Sequence, residues 1–145
     1  MKDFMTQETR NAIHEVARNR SKNRIIEISN ELYVSLKHDI IDAGTYEGEY
    51  ITATVERMIG KTCALIRLAN EYKVPIIVPN DNIKCLVERQ AKELNKNVEA
   101  IVINRRNSST HMEFRKKYRV VLTEERVDIG LVKEIFRPLG IVGIN

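Results

Sequence analysis

Gly60-Lys61-Thr62-Cys63 stands between a short apolar run, Tyr50 to Val55, and a stretch of helical periodicity from Thr62 to Lys73. The first N–H groups of a helix have no partner inside it, and the helix dipole adds positive potential there, so such a junction attracts an anion. Glycine lets the chain adopt backbone conformations costly to other residues and lets a ligand approach closely. Two carboxylates, Glu124 and Glu125, follow a second apolar run, Val120 to Thr123. They suit metal or proton work, and they equally suit the dipole of the helix expected after them. A third set is cationic: Arg105, Arg106, Arg115, Lys116, Lys117 and Arg119, relieved only by Glu113. That segment could contact the phosphates of nucleic acid, although charge runs usually serve as solvated surface. Phe114 and Tyr118 are its only rings, too few for a base-stacking platform. His14, His38 and His111 lack metal-ligand spacing and are read as incidental.

Val55 to Thr62 reads VERMIGKT and resembles the Walker A element, GxxxxGK[ST], of the P-loop NTPases. Val55 stands where the family has its first glycine, while Gly60, Lys61 and Thr62 match. Val120 to Glu125, VVLTEE, is similar to the family's Walker B strand, a hydrophobic run closing in acidic residues. The resemblance spans residues 50–145 and extends to the small NTPase-like proteins of phages and mobile elements. It implies a site for ATP or GTP with Mg²⁺, in which Gly60, Lys61, Thr62 and Cys63 hold the nucleotide. Lys61 would reach the β- and γ-phosphates and Thr62 would ligate Mg²⁺. For the carboxylates it implies two registers. In one, Thr123 takes the metal position and Glu124 the water-polarising one; in the other, Glu124 is the metal residue and Glu125 the base. The implied activity is nucleoside-triphosphate hydrolysis. The alternative is a P-loop-derived module without turnover, acting through nucleic-acid or protein contacts.

The elements that must position these residues follow from periodicity. Thr6 caps a first helix with the apolar stripe Ala12, Ile13, Val16 and Ala17. A second helix is expected after Asn23, carrying Ile25, Ile28, Leu32, Leu36 and Ile40 up to Gly44. Beyond Tyr50, five apolar runs (YITATV, VPIIVP, VEAIVIN, YRVVLT, GIVGIN) alternate with helical stretches. One helix is capped at Asn80, Asp81 or Asn82 and carries Ile83, Leu86, Val87, Ala91 and Leu94 inward; another is capped at Asp128. Four runs lack period-two alternation, as strands covered on both faces do. The pattern predicts one three-layer α/β domain over 1–145 with a five-stranded, mostly parallel sheet. Residues 1–44 form a helical extension to the 50–145 core, and Asn104 to Lys117 is a candidate functional loop.

Composition agrees with that reading. The chain has 145 residues and a net charge of +4, with 43% hydrophobic and 30% charged residues. Those values exclude a disordered chain, and no apolar stretch is long enough to span a membrane. Cys63 and Cys85, without CxxC spacing, are expected as reduced packing residues of a cytoplasmic protein. The N-terminal helices could also pair two copies of the chain.

Overall fold

The computed structural model describes residues 6–52, 60–106, 118–138 and 140–144. Its elements in chain order are α1 (Gln7–Ala43), β1 (Gly48–Thr52), α2 (Gly60–Tyr72), β2 (Ile76–Val78), α3 (Asp81–Glu93), β3 (Ala100–Val102), β4 (Val120–Thr123), α4 (Ile129–Phe136) and β5 (Gly140–Ile144). The five strands form one sheet in the order β1-β5-β4-β2-β3, and every pairing is parallel. The expected α/β architecture with a parallel sheet is therefore the observed one.

The two sheet faces explain the missing alternation. Ile76, Val78, Val120, Leu122 and Val142 pack with Leu36 and Ile40 of α1, Leu65 and Leu68 of α2, and Val87 of α3. The intervening residues Ile77, Val121 and Ile141 pack on the opposite face with Val132, Ile135 and Phe136 of α4. Both sides of each central strand are thus buried under helices, and three layers result.

Three helix starts agree with their capping chemistry. Thr6, Asn80 and Asp128 each accept from the backbone N–H three residues on, at 3.1, 2.9 and 3.3 Å. Gly44 ends α1, as expected. The inner face expected for α3 is only partly inner: Val87 and Ala91 are buried, Ile83 and Leu86 are half-buried, and Leu94 is exposed. Cys85 is exposed rather than a packing residue, and both thiols are free.

The two expected N-terminal helices are one. α1 runs unbroken through Asn23 for 37 residues. No proline or glycine interrupts it, so the backbone has no reason to stop. What looked like a boundary is a change of phase. At about 100° per residue, Ala12, Ile13, Val16 and Ala17 lie on the face opposite Ser29, Leu32, Leu36 and Ile40. Among the described residues only the second face lies on the domain; Ile13 and Val16 remain half or more exposed.

Close backbone approach fixes two glycines. At Gly140 a Cβ would meet the Cβ of Ala43 at 2.4 Å, so the end of α1 presses directly on β5. At Gly143 a Cβ would lie 1.9 Å from Thr123 Oγ1 and 2.6 Å from the Thr123 carbonyl oxygen. Thr123 and Gly143 are register partners, and Thr123 leads directly into Glu124. Gly143→Ala is expected to cost about 2 kcal/mol or more in denaturant unfolding, since overpacking a rigid site cannot relax cheaply. A change within about 0.5 kcal/mol would show that β4 and β5 can separate.

Candidate functional site

The strand order places a reversal between β2 and β4. From β2 the chain crosses outward to β3; it then returns to the other side of β2 for β4 and continues away to β5. α3, which follows β2, and α4, which follows β4, cover opposite sheet faces. The connections leaving β2 and β4 therefore diverge, and the crevice at their carboxyl ends is where open α/β sheets take ligands. A cleft of about 500 Å³ lies there. It is lined by Pro79 and Asn80 after β2, by Ile83, Leu86 and Gln90 of α3, and by Glu124, Glu125 and Arg126 after β4. Lys61 and Thr62, from the first turn of α2, complete it.

Lys61 is only 5% exposed, although lysine is rarely buried without a partner. Its Nζ donates to Glu125 Oε1 at 2.9 Å, an ion pair between residues 64 apart in sequence. Glu125 keeps 30% of its side chain exposed, so the pair sits at the cleft wall with its acidic end toward water.

Glu124 lines the same cleft but is almost wholly buried. Burial pushes its carboxyl above the usual range, and the nearby Glu125 charge adds to that. Hydrogen bonding by the Glu125 backbone and the Thr62 side chain, with the Lys61 charge, works in the opposite direction and only partly compensates. Glu124 Oε2 has no hydrogen-bond partner, nor has the buried hydroxyl of Thr123, which faces Gly143. An orphaned oxygen on a carboxylate that the Thr62 side chain also hydrogen-bonds offers hard oxygen donors, suited to a divalent cation of the Mg²⁺ type. Among the described residues no trio of His, Cys, Asp or Glu could hold a metal ion. A cation here would therefore take its other ligands from a substrate and water, as Mg²⁺ commonly does.

The remaining candidates separate from this group. Gly60 opens α2, but Val55 to Ile59 lie outside the described residues. Cys63 lines a different pocket, with Ile26, Asn30, Arg67 and Leu94, and burial raises its thiol pKa. Arg105 and Arg106 are exposed and away from the cleft lining. The turn they occupy is held by Asn104, which accepts from the Arg106 N–H at 3.0 Å and donates to the Pro79 carbonyl at 3.3 Å. Arg115, Lys116, Lys117 and most of the candidate loop lie outside the described residues.

Four cleft residues had no functional reading in the sequence. Gln90 carries a buried, unpartnered side-chain oxygen. Ile83 and Leu86 share the helical period of the core residues Val87 and Ala91, which hides a cleft wall inside a core pattern. Arg126 has φ of 64°, a left-handed conformation uncommon for a residue with a side chain. Its only sequence signal was adjacency to Glu125.

Comparison with protein-family models, with curated proteins and with solved structures finds no match to this chain. No helix among the described residues is long and apolar enough to cross a membrane.

The raised Glu124 pKa has a stability consequence of definite sign. Between the unfolded value near 4.5 and the higher folded value, the folded chain binds the proton more tightly. Stability contributed by this group therefore falls as pH rises through that window, and the buried charge remains a cost above it. Glu124→Gln is expected to raise stability at about pH 7.5 by about 1 kcal/mol, or about 2–4 °C in Tm. The gain should vanish near pH 4, where wild-type Glu124 is protonated. An unchanged or lower Tm at about pH 7.5 would contradict the burial argument.

Proposed function

We propose that the cleft binds the polyphosphate of a nucleoside triphosphate, ATP or GTP, together with Mg²⁺. The protein is then a P-loop-type nucleotide-binding domain that transfers the terminal phosphoryl group to water. One observation carries the reading: the cation and hydroxyl of Lys61-Thr62 meet the carboxylates of Glu124-Glu125 in one cleft at the sheet's reversal point.

Each residue has work that its surroundings suit. The start of α2 presents unpaired N–H groups and the positive end of its dipole, which favours an anion at Gly60 to Thr62. Polyphosphate oxygens compete with Glu125 for the Lys61 ammonium. Lys61 exchanges one anionic partner for another, which spares it from being buried without a counter-charge. Glu125, released, stands at the exposed side of the cleft, where it can orient a water and accept its proton. Glu124 and Thr62 are the residues that would hold Mg²⁺, whose charge would neutralise the β- and γ-phosphate oxygens. A bound cation also lowers the cost of keeping Glu124 ionised in its buried position. Of the two registers, this assignment takes Glu124 as the metal residue and Glu125 as the base. The water oxygen bonds to the γ-phosphorus, the bond to the β-bridging oxygen breaks, and the nucleoside diphosphate leaves. A cytoplasmic setting and an affinity with small phage-type NTPase-like proteins belong to the same reading.

Calorimetric titration with ATP and GTP, with and without Mg²⁺, tests it. Saturable, Mg²⁺-dependent binding is expected, weakened at least about tenfold, or about 1.4 kcal/mol, in Lys61→Ala. Glu125→Gln should retain nucleotide while losing about 100-fold or more of phosphate release. No measurable affinity, or equal affinity in Lys61→Ala, overturns the proposal.

A further inference from the structure

The cleft at Lys61 is charged at one end and apolar along one wall. Pro79 and Asn80 lie at the sheet's carboxyl edge with Glu124, Glu125 and Arg126, while Ile83, Leu86 and Gln90 carry the lining along α3. At about 100° per residue these α3 side chains fall within about 60° of one another, so they form one stripe. From Asn80 to Gln90 the wall extends roughly 15 Å along the helix axis. Ile83 and Leu86 are half-buried beside the core residues Val87 and Ala91 and offer a ligand an apolar surface. Gln90, also half-buried, closes the stripe with a side-chain oxygen that is buried and unpartnered.

That oxygen decides which chemistry the wall accepts. A buried acceptor without a donor is costly, and a ligand N–H placed against it removes the cost. The terminal torsion of glutamine is soft, so the carboxamide can turn its oxygen toward the cleft without moving α3. An aliphatic chain would cover Ile83 and Leu86 but leave the oxygen without a donor. A heteroaromatic base meets both demands, with apolar faces for the two side chains and N–H donors on its edge. Adenine matches glutamine in both directions: its N6 amino group donates to the carboxamide oxygen, and a ring nitrogen accepts from the carboxamide NH₂. Guanine carries a carbonyl where adenine has that amino group, which sets acceptor against acceptor.

We propose that the α3 wall of the cleft is an adenine subsite, in which Ile83 and Leu86 hold a face of the base and Gln90 reads its N6 amino group. A base bound there presupposes polyphosphate at Lys61, so the subsite rests on the nucleotide reading and narrows it from ATP or GTP to ATP. Gln90 and Lys61 stand on different helices, so base reading and phosphate binding are separable by substitution.

Calorimetric titration of the intact protein in Mg²⁺ with ATP, GTP, N6,N6-dimethyl-ATP and inorganic tripolyphosphate tests the subsite. ATP is expected to bind at least about tenfold tighter than GTP or the dimethyl analogue, which lacks the N–H donors. Gln90→Met keeps the side-chain length and removes the carboxamide. It should weaken ATP about tenfold, to the level of GTP, and leave tripolyphosphate within about twofold of the wild type. Its Tm should not fall, because the substitution removes an unsatisfied acceptor. Tripolyphosphate that binds through Lys61 while ATP gains nothing over GTP overturns the adenine subsite alone. An ATP preference that survives Gln90→Met does the same. Failure of both ATP and tripolyphosphate to bind overturns the subsite together with the polyphosphate reading.

Discussion

A buried ammonium must have an anion, and much of this fold is arranged so that Lys61 has one. Lys61 is committed by its place at the start of α2, with core residues Ala64, Leu65 and Leu68 following on the same helix. Glu125 supplies the counter-charge from the end of β4, and the distance of 2.9 Å makes the pair a charge-assisted hydrogen bond. Both partners are held by elements whose positions are set by the core, so the pair is a consequence of the fold and a constraint on it.

The parallel sheet makes that meeting possible. Because all five strands run the same way, every carboxyl end opens on one edge, and the residues just beyond them share one surface. The reversal between β2 and β4 then opens a crevice on that edge without any special loop. Tight packing keeps the crevice in place: Gly143 lets β5 run against Thr123, and Thr123 delivers Glu124 to its buried position. Glu124 is the part of the site least comfortable in the resting protein, with an unpartnered oxygen and a carboxyl that burial disfavours as an anion. Such local cost, kept inside an otherwise well-packed domain, is a common mark of a site built for a ligand.

Much of the architecture was legible in the sequence because local chemistry set it. Thr6 and Asp128 could be read as caps from residue type alone, Asn80 only as one of three candidates with Asp81 and Asn82, and the runs at 76–78, 100–102 and 120–123 read as doubly covered strands. The break expected at Asn23 failed for a physical reason. Two apolar stripes out of phase look like two helices, yet phase belongs to side chains and does not interrupt the backbone. Lys61, Thr62, Glu124 and Glu125 were singled out by type and context. Their pairing was not legible, because it depends on β4 lying two strands from β1, and strand order is not written locally. Ile83 and Leu86 escaped because a wall of a cleft has the same helical period as a core. Arg126 escaped because backbone conformation at one residue leaves no pattern.

The central claim is that Lys61, Thr62, Glu124 and Glu125 surround one place where a nucleotide's phosphates and a divalent cation meet. Paramagnetic broadening by Mn²⁺ and ATP in ¹H–¹⁵N spectra of the intact protein reads that place directly. The account predicts that substoichiometric Mn²⁺ with ATP erases amide signals of residues 60–63 and 124–126 first, leaving α4 and the distant end of the sheet intact. Broadening centred elsewhere, or spread evenly over the acidic surface, would contradict it.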